Sequence, residues 1–298
     1  MDLNVTMPKI TVFTPTYNRA YILPKCYESL NRQSCKDFEW LIINDGSTDH
    51  TKELVAEWQK RENGYPVRYI YKENGGLHTG YNTAIANMET ELSVCIDSDD
   101  SMPDDAIERI LAEWQKVKDS GAAGLVGLDV DQNGNLIGKR LPDRELINAA
   151  SLLCVPGMGD KKYVVRNDLL RTMAPMPVFA GEKNFNPHYL IIKLSKQYQF
   201  HPVNQCFCLV EYQPDGMTAN IWKQYVNSPR SFAELRRAIM EVPGLTWQYR
   251  LKNIIHYCSS SQIAGNRNYI KESPLKLLTV LCTPAGWVLT WWIRRRVK

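Results

Sequence analysis

At 298 residues the chain is long enough to bury one large core, or one core with a helical extension. Hydrophobic residues at 44% and charged residues at 23%, without low-complexity tracts or internal repeats, give the composition of an ordinary globular protein. The formal net charge of +4, with no dense Lys/Arg stripe interleaved with aromatics in the body of the chain, argues against a nucleic-acid partner.

In chain order, Ile10-Thr11-Val12-Phe13 reads as a short buried strand, followed by a helix over about 20–33. Trp40-Leu41-Ile42-Ile43 is a second strand, ending on Asn44-Asp45-Gly46. Asp49 is placed to cap the helix that follows, and Gly64 to stop it. Val67 to Tyr71 forms a third strand, closed by Asn74-Gly75-Gly76, and a helix over about 79–88 leads into a fourth at Leu92 to Ile96. That strand ends on Asp97-Ser98-Asp99-Asp100; Ser101 and Pro103 then open a helix carrying Asp104 and Asp105 in its first turn.

Such alternation predicts an α/β fold with a doubly wound, mainly parallel sheet flanked by helices. Ligands of these sheets bind beyond the carboxyl ends of the strands, where this chain carries polar, turn-forming clusters four times. After residue 120 a hairpin is expected around Asn133-Gly134. Further strands are expected at Lys162–Arg166 and Phe207–Tyr212, with helices near Asn167–Met173 and His188–Lys196. From Ser228 the pattern is helical through Cys258. The expected division is an α/β domain over 1–215, with halves at about 8–120 and 121–215, and a helical region over 216–298.

Eight scattered cysteines include no Cys-x-x-Cys pair, so buried thiols are a better reading than zinc. Met1 to Lys9 has no charged region followed by a long apolar stretch, so the body of the chain is expected in the cytoplasm. From Leu275 to Ile293 the chain is mostly apolar, interrupted by Lys276, several threonines and the helix-breaking Pro284-Ala285-Gly286, and it ends in Arg294-Arg295-Arg296. Tryptophans beside arginines suit the headgroup level of a bilayer. An amphipathic anchor lying on the inner face of the cell membrane is therefore expected over a spanning helix; the other reading is an ordinary helix covering the α/β domain.

Two carboxylates two apart at a strand end can place one on a divalent cation and the other on a ribose or a water. In Asp97-Ser98-Asp99 they could equally belong to an acidic turn capping the next helix. Asp45 can hydrogen bond a nucleobase edge or ribose, or close an Asx-turn before Gly46. Arg19 can pair with a diphosphate or sit solvated.

Taken together, Thr14-Pro15-Thr16-Tyr17-Asn18-Arg19, Asn44-Asp45-Gly46-Ser47-Thr48-Asp49, Asn74-Gly75-Gly76 and Asp97-Ser98-Asp99-Asp100, in this order and spacing, resemble the inverting family-2 glycosyltransferases of the GT-A fold. The resemblance runs over about 8–215. It implies that Thr14, Pro15, Tyr17, Arg19, Asp45 and Gly76 bind the donor, that Asp97 contacts ribose or a metal-bound water, and that Asp99 binds Mn²⁺ or Mg²⁺. It further implies transfer of a sugar from a nucleotide-sugar, taken as a UDP-sugar, to an acceptor hydroxyl; a lipid-linked acceptor would explain the expected anchor, since donor sugars are soluble, and an oligosaccharide is the other acceptor expected. Gly181-Glu182-Lys183 and Asp215-Gly216-Met217-Thr218 are similar to segments of a subgroup acting on bacterial surface polysaccharides. Neither a Gln-x-x-Arg-Trp motif nor several membrane spans is present, which favours single-residue addition over processive synthesis.

The sequence departs from the family where an acidic pair supplies the general base: Phe185-Asn186-Pro187-His188-Tyr189 holds no carboxylate there. Glu182 and His188 are the two base candidates, with Asp100 and Asp215 behind them. Two other functions compete: a non-catalytic nucleotide-sugar-binding protein of the same fold, and a sugar nucleotidyltransferase, which would want a glycine-rich phosphate loop after the first strand.

Overall fold

The computed structural model describes residues 7–211, 213 and 221–297; the Asp215-Gly216-Met217-Thr218 segment lies outside them. The first half folds as alternating units: β1 (Ile10–Thr16), α1 (Leu23–Asn31), β2 (Phe38–Asn44), α2 (Thr51–Trp58), β3 (Val67–Tyr71), α3 (Leu77–Asn87), β4 (Leu92–Cys95) and α4 (Ala106–Val117). Then come β5 (Gly124–Asp131), a 3₁₀ turn (Ala149–Cys154), β6 (Lys161–Arg166), α5 (Asn167–Met173), α6 (His188–Leu194) and β7 (His201–Val210). Helices α7 (Ile221–Asn227), α8 (Pro229–Met240), α9 (Trp247–Ile263), α10 (Tyr269–Glu272) and α11 (Lys276–Val297) follow.

The strands form one seven-stranded sheet in the order β3-β2-β1-β4-β6-β5-β7. Neighbours β1 to β4 pair in parallel, β6 runs antiparallel to both β4 and β5, and β7 is parallel to β5. Only β6 is therefore reversed among the described strands. Continuous apolar runs such as β2 suit strands covered on both faces. Side chains alternate accordingly: Phe13, Leu41 and Ile43 join a core with α3, α6 and α8, while Ile10, Val12, Trp40 and Ile42 join a second core with α1, α2 and α4.

Some expectations need correction. The helix after β4 begins at Ala106, so Asp104 and Asp105 precede it; Asp104 pairs with Arg32 instead. The turn at Asn133-Gly134 forms, with Gly134 at φ 81°, but beyond it only Leu136 bridges back to Val130 and no second hairpin strand develops. Pro284 does not interrupt α11, which runs unbroken through it. Gly286 there serves close packing, since a Cβ on it would lie 2.5 Å from the Cys258 side chain of α9. Phe232 and residues Leu235 to Leu245 also pack into clusters shared with the sheet or with α7 and α11, so the C-terminal helices are fastened to the sheet layers.

Candidate active site

A cavity of about 820 Å³ opens beyond the carboxyl ends of β1, β2 and β4, where an α/β sheet of this winding places its ligands. The loops after β1 and β2, next to its lining residues, hold one another. Asn18, at φ 52°, donates its N–H to Ser47 Oγ at 2.9 Å and accepts from the Thr48 N–H at 2.8 Å. Asp49 accepts from the Ala20 N–H at 2.9 Å and from the Thr51 N–H at 3.1 Å, so it braces α2 and ties the first two loops together.

Asp45 is buried and its carboxylate is largely engaged. The N–H groups of Gly75 and Gly76 donate to its two oxygens at 3.0 and 2.8 Å, and Lys72 forms an ion pair with it. Gly76 is at φ 93°, and a Cβ there would meet the Lys183 carbonyl oxygen at 2.0 Å. A side chain at 76 would push the 181–183 loop off the cavity. Asp45→Ala is expected to cost about 1–3 kcal/mol, because two backbone N–H groups and a lysine lose their acceptor. A lowered denaturation midpoint with full nucleotide affinity means that Asp45 only seats the glycines. Weakened nucleotide binding at unchanged stability means a direct contact.

Pro15, Tyr17, Arg19, Asp45, Gly76, Asp97 and Asp99 all line this cavity, as does His188. Tyr17 presents an exposed ring, and Arg19 lies 5.8 Å from the Tyr21 ring. Thr14 does not reach the cavity. Strand alternation turns it into the core, where Trp40 Nε1 donates to its hydroxyl at 2.9 Å. Thr16, two residues on, does line the cavity.

Asp97 is exposed, Asp99 is half-buried and Asp100 is buried. Since α4 starts at Ala106, none of them caps it. Burial, and next the negative charge of Asp97, raise the Asp99 carboxyl above its usual range. Such a pair fits a divalent cation, whose charge would relieve that repulsion. Among the described residues no third His, Cys, Asp or Glu completes a protein cage, so the remaining ligands would be phosphate oxygens or water, as Mg²⁺ prefers.

Behind the pair lies a charged group that local sequence does not announce. Lys162 of β6 stands 3.5 Å from Asp100. Burial opposes its charge, but the Cys208 sulfur and the Asp129, Asp100 and Asp97 carboxylates hold it well above the ordinary lysine range. Burial in turn raises Asp100 to about 7 and Asp129 to about 6 against the pull of Lys162. Asp129 lines the cavity and its Oδ1 has no hydrogen-bond partner.

The two base candidates separate in space. Glu182 is buried away from the cavity lining, and its carboxylate accepts from the N–H groups of Arg230 and Ser231 at 2.9 and 2.8 Å and from Ser231 Oγ at 2.7 Å. It thus caps the N-terminus of α8, where backbone N–H groups and the helix dipole favour an anion. His188 lines the cavity at the start of α6, edge to face with Tyr163 at 5.3 Å between ring centres and with its Nε2 without a partner. Burial lowers its pKa to about 4, against a smaller upward pull from Asp160.

Residues 11–149 match the family model described as "Glycosyl transferase family 2". Glycosyltransferase GlyA of Streptococcus pneumoniae is 37% identical over 110 residues, 36% of this chain and 16% of that protein. The chain spans less than a fifth of the length of that relative and of the chondroitin and hyaluronan synthases it also matches. A beta-1,3-glucosyltransferase of Campylobacter jejuni, named for a GalNAc(5)-diNAcBac-PP-undecaprenol substrate, is 25% identical over 78% of this chain and 74% of its own. The solved structure of Staphylococcus aureus TarS with UDP-GlcNAc superposes with a TM-score of 0.61 at 14% identity, covering 96% of this chain and 92% of that one. In sequence over residues 11–149, and in fold over nearly its whole length, the protein resembles the family-2 glycosyltransferases of the GT-A fold.

Proposed function

We propose that the protein transfers one sugar, with inversion, from a nucleoside-diphosphate sugar to a hydroxyl of a lipid-linked saccharide at a membrane surface. The observation that carries this reading is the convergence of Tyr17, Arg19, Asp97, Asp99 and His188 on one cavity at the carboxyl ends of the strands. TarS, whose structure holds UDP-GlcNAc, makes a UDP-sugar the first donor to test, and the Campylobacter relative's name supports a lipid-linked acceptor in surface-polysaccharide assembly.

The Tyr17 ring offers a stacking face for the base, and Arg19 a cation for the diphosphate. Asp97 and Asp99 would hold the metal, Mn²⁺ or Mg²⁺, which supplies Lewis-acid charge for the departing diphosphate. The acceptor oxygen attacks the anomeric carbon from the face opposite the diphosphate. The bond to the phosphate oxygen breaks, its electron pair leaves with the nucleoside diphosphate, and the hydroxyl proton passes to neutral His188. Lys162 keeps the neighbouring carboxylates from repelling one another. Transfer and slow donor hydrolysis, measured across a panel of nucleotide-sugars with and without chelator, test this reading. A protein that binds donor but never turns it over would be the non-catalytic relative.

The described residues contain one helix apolar and long enough to cross a bilayer, α11, by length and composition. One of its faces packs on the hydroxyl-rich surface of α9, where Thr290 bonds Ser259 Oγ at 3.0 Å and Gln262 Oε1 at 3.0 Å. A helix fastened in this way to a polar neighbour suits the surface of a membrane better than its interior. Leu277, Leu281, Trp287, Val288 and Trp291 are exposed on it. Leu281→Glu with Val288→Glu is expected to move the protein from the membrane to the soluble fraction with an unchanged melting temperature. Truncation before Ser273 is a poorer test, because it also strips the buried Thr279, Cys282, Gly286 and Ile293 from α9 and α7. Retention of the double variant on membranes would mean that this face does not dock there.

A further inference from the structure

The last turns of α11 serve two surfaces at once. Outward, Trp287, Val288 and Trp291 are exposed and lead into Arg294, Arg295 and Arg296, with the Arg295 guanidinium 4.0 Å from the Trp291 ring centre. Arg294 and Arg295 are exposed and face no carboxylate among the described ion pairs. Inward, Trp292 meets Trp222 of α7 edge to face at 4.8 Å, and Arg296 lies over both rings at 4.3 and 5.8 Å. Ile293 is buried beside Tyr225 of α7 and Phe232 of α8. Helix α7 is itself a wall of the active cavity, through Ile221 and Gln224, and Phe232 lines the same space. A single helix turn thus separates a cationic, tryptophan-rich exterior from the cavity.

We propose that the C-terminal turn of α11 couples an anionic lipid surface to the cavity wall: Arg294, Arg295 and the Trp287/Val288/Trp291 stripe bind the lipid, and Trp292 and Ile293 then fix α7 for the incoming acceptor. The reading deepens the proposed transfer to a lipid-linked acceptor and rests on it for the identity of that acceptor. Charge selects the occupant. Arg294 and Arg295 beside an apolar stripe match lipid phosphates above acyl chains, and each basic residue near such a surface adds attraction that salt screens. Seven-residue α7 is too short to hold its shape unaided, so its order depends on the contacts with α8, α9 and α11.

The test uses the full chain with vesicles of phosphatidylglycerol or of phosphatidylcholine, and follows hydrogen exchange of the α7 amides. Phosphatidylglycerol vesicles are expected to bind the protein and slow α7 exchange several-fold, and phosphatidylcholine vesicles to do neither. Arg294→Glu with Arg295→Glu should lose both effects while keeping its melting temperature. Trp292→Ala should still sediment with phosphatidylglycerol vesicles yet lose the added protection of α7. Equal binding to both lipids, unchanged α7 exchange on bound protein, or full protection in Trp292→Ala would each overturn the coupling. So would a solution dimer abolished by Val288→Glu, which would make the stripe a subunit contact. Hydrolysis of UDP-GlcNAc, assayed separately, tells failure of the coupling from failure of the transferase reading, since α7 protection needs no donor.

Discussion

Asp99→Asn is expected to remove divalent-dependent donor binding and to lower transfer by about 10³ or more, the scale of several kcal/mol of charge stabilisation supplied by a bound metal. Half-buried Asp99 sits beside exposed Asp97, and its carboxyl is raised by burial and then by that neighbour. Replacing one anion by an amide removes the repulsion that a cation would otherwise relieve, together with the ligand itself. The same substitution should leave the fold intact or slightly stabilised, because a half-buried charge is lost. Calorimetry with UDP and Mn²⁺, in parallel with transfer assays, reads both effects. Undiminished turnover in Asp99→Asn, or in wild type under excess chelator, would remove metal from the proposal.

His188→Ala should lower transfer by roughly 10²–10⁴ with donor affinity preserved, the usual contribution of a positioned general base. Glu182→Gln should behave in the opposite way, costing about 1 kcal/mol of stability through the weakened cap on α8 and leaving turnover within a few-fold. The pH profile separates them further. A folded-state pKa of about 4 for His188, below the ordinary 6.5 of histidine, keeps the imidazole neutral through the physiological range. The part of turnover that depends on His188 should then stay flat from pH 8 down to about 5 and fall only below that, and a change between pH 8 and 6 that persists in His188→Ala belongs to Asp100 and Asp129. Stability tied to His188 follows the same sign: it is present above pH 6.5 and is lost as pH falls toward 4, because the unfolded chain binds the proton more readily. His256, also lowered to about 4 by burial, adds to that acid loss without touching the cavity. Normal transfer by His188→Ala would move the role to Asp129, which lines the same cavity with an unpartnered oxygen.

The parallel half of the sheet could be read in the sequence because each strand there carries its own turn cluster, and winding alone brings those clusters together. Asp45 and Asp97 are 52 positions apart, yet both stand at strand ends on one rim of the sheet. Thr14 misled because it sits in a motif whose neighbours do face the cavity: inside β1 its hydroxyl is taken by the Trp40 indole, while Thr16, of the same parity, stands at the last position of the strand and reaches the cavity. Lys162 and Asp129 stayed hidden for a different reason. Val164 pairs with Val94 and Leu125 in a reversed strand, and nothing local in Lys161-Lys162-Tyr163 signals that reversal. Glu182 finds its partner 49 residues downstream, beyond the reach of any motif. Pro284 was tolerated where its ring faces outward on α11, so the residue that usually ends a helix did not do so.

The 181–183 loop carries a consequence for recombination between related chains. Its Glu182 anchors α8, and its Lys183 carbonyl rests against the Cβ-less face of Gly76. A breakpoint placed between 76 and 183 would import a loop fitted to another parent's glycine and another parent's helix cap. Fusions in this region should therefore express well only when the glycine, the loop and the start of α8 come from one parent. Donor and acceptor preferences would then be inherited as a block, and exchanging the C-terminal helices by themselves would rarely yield a working hybrid.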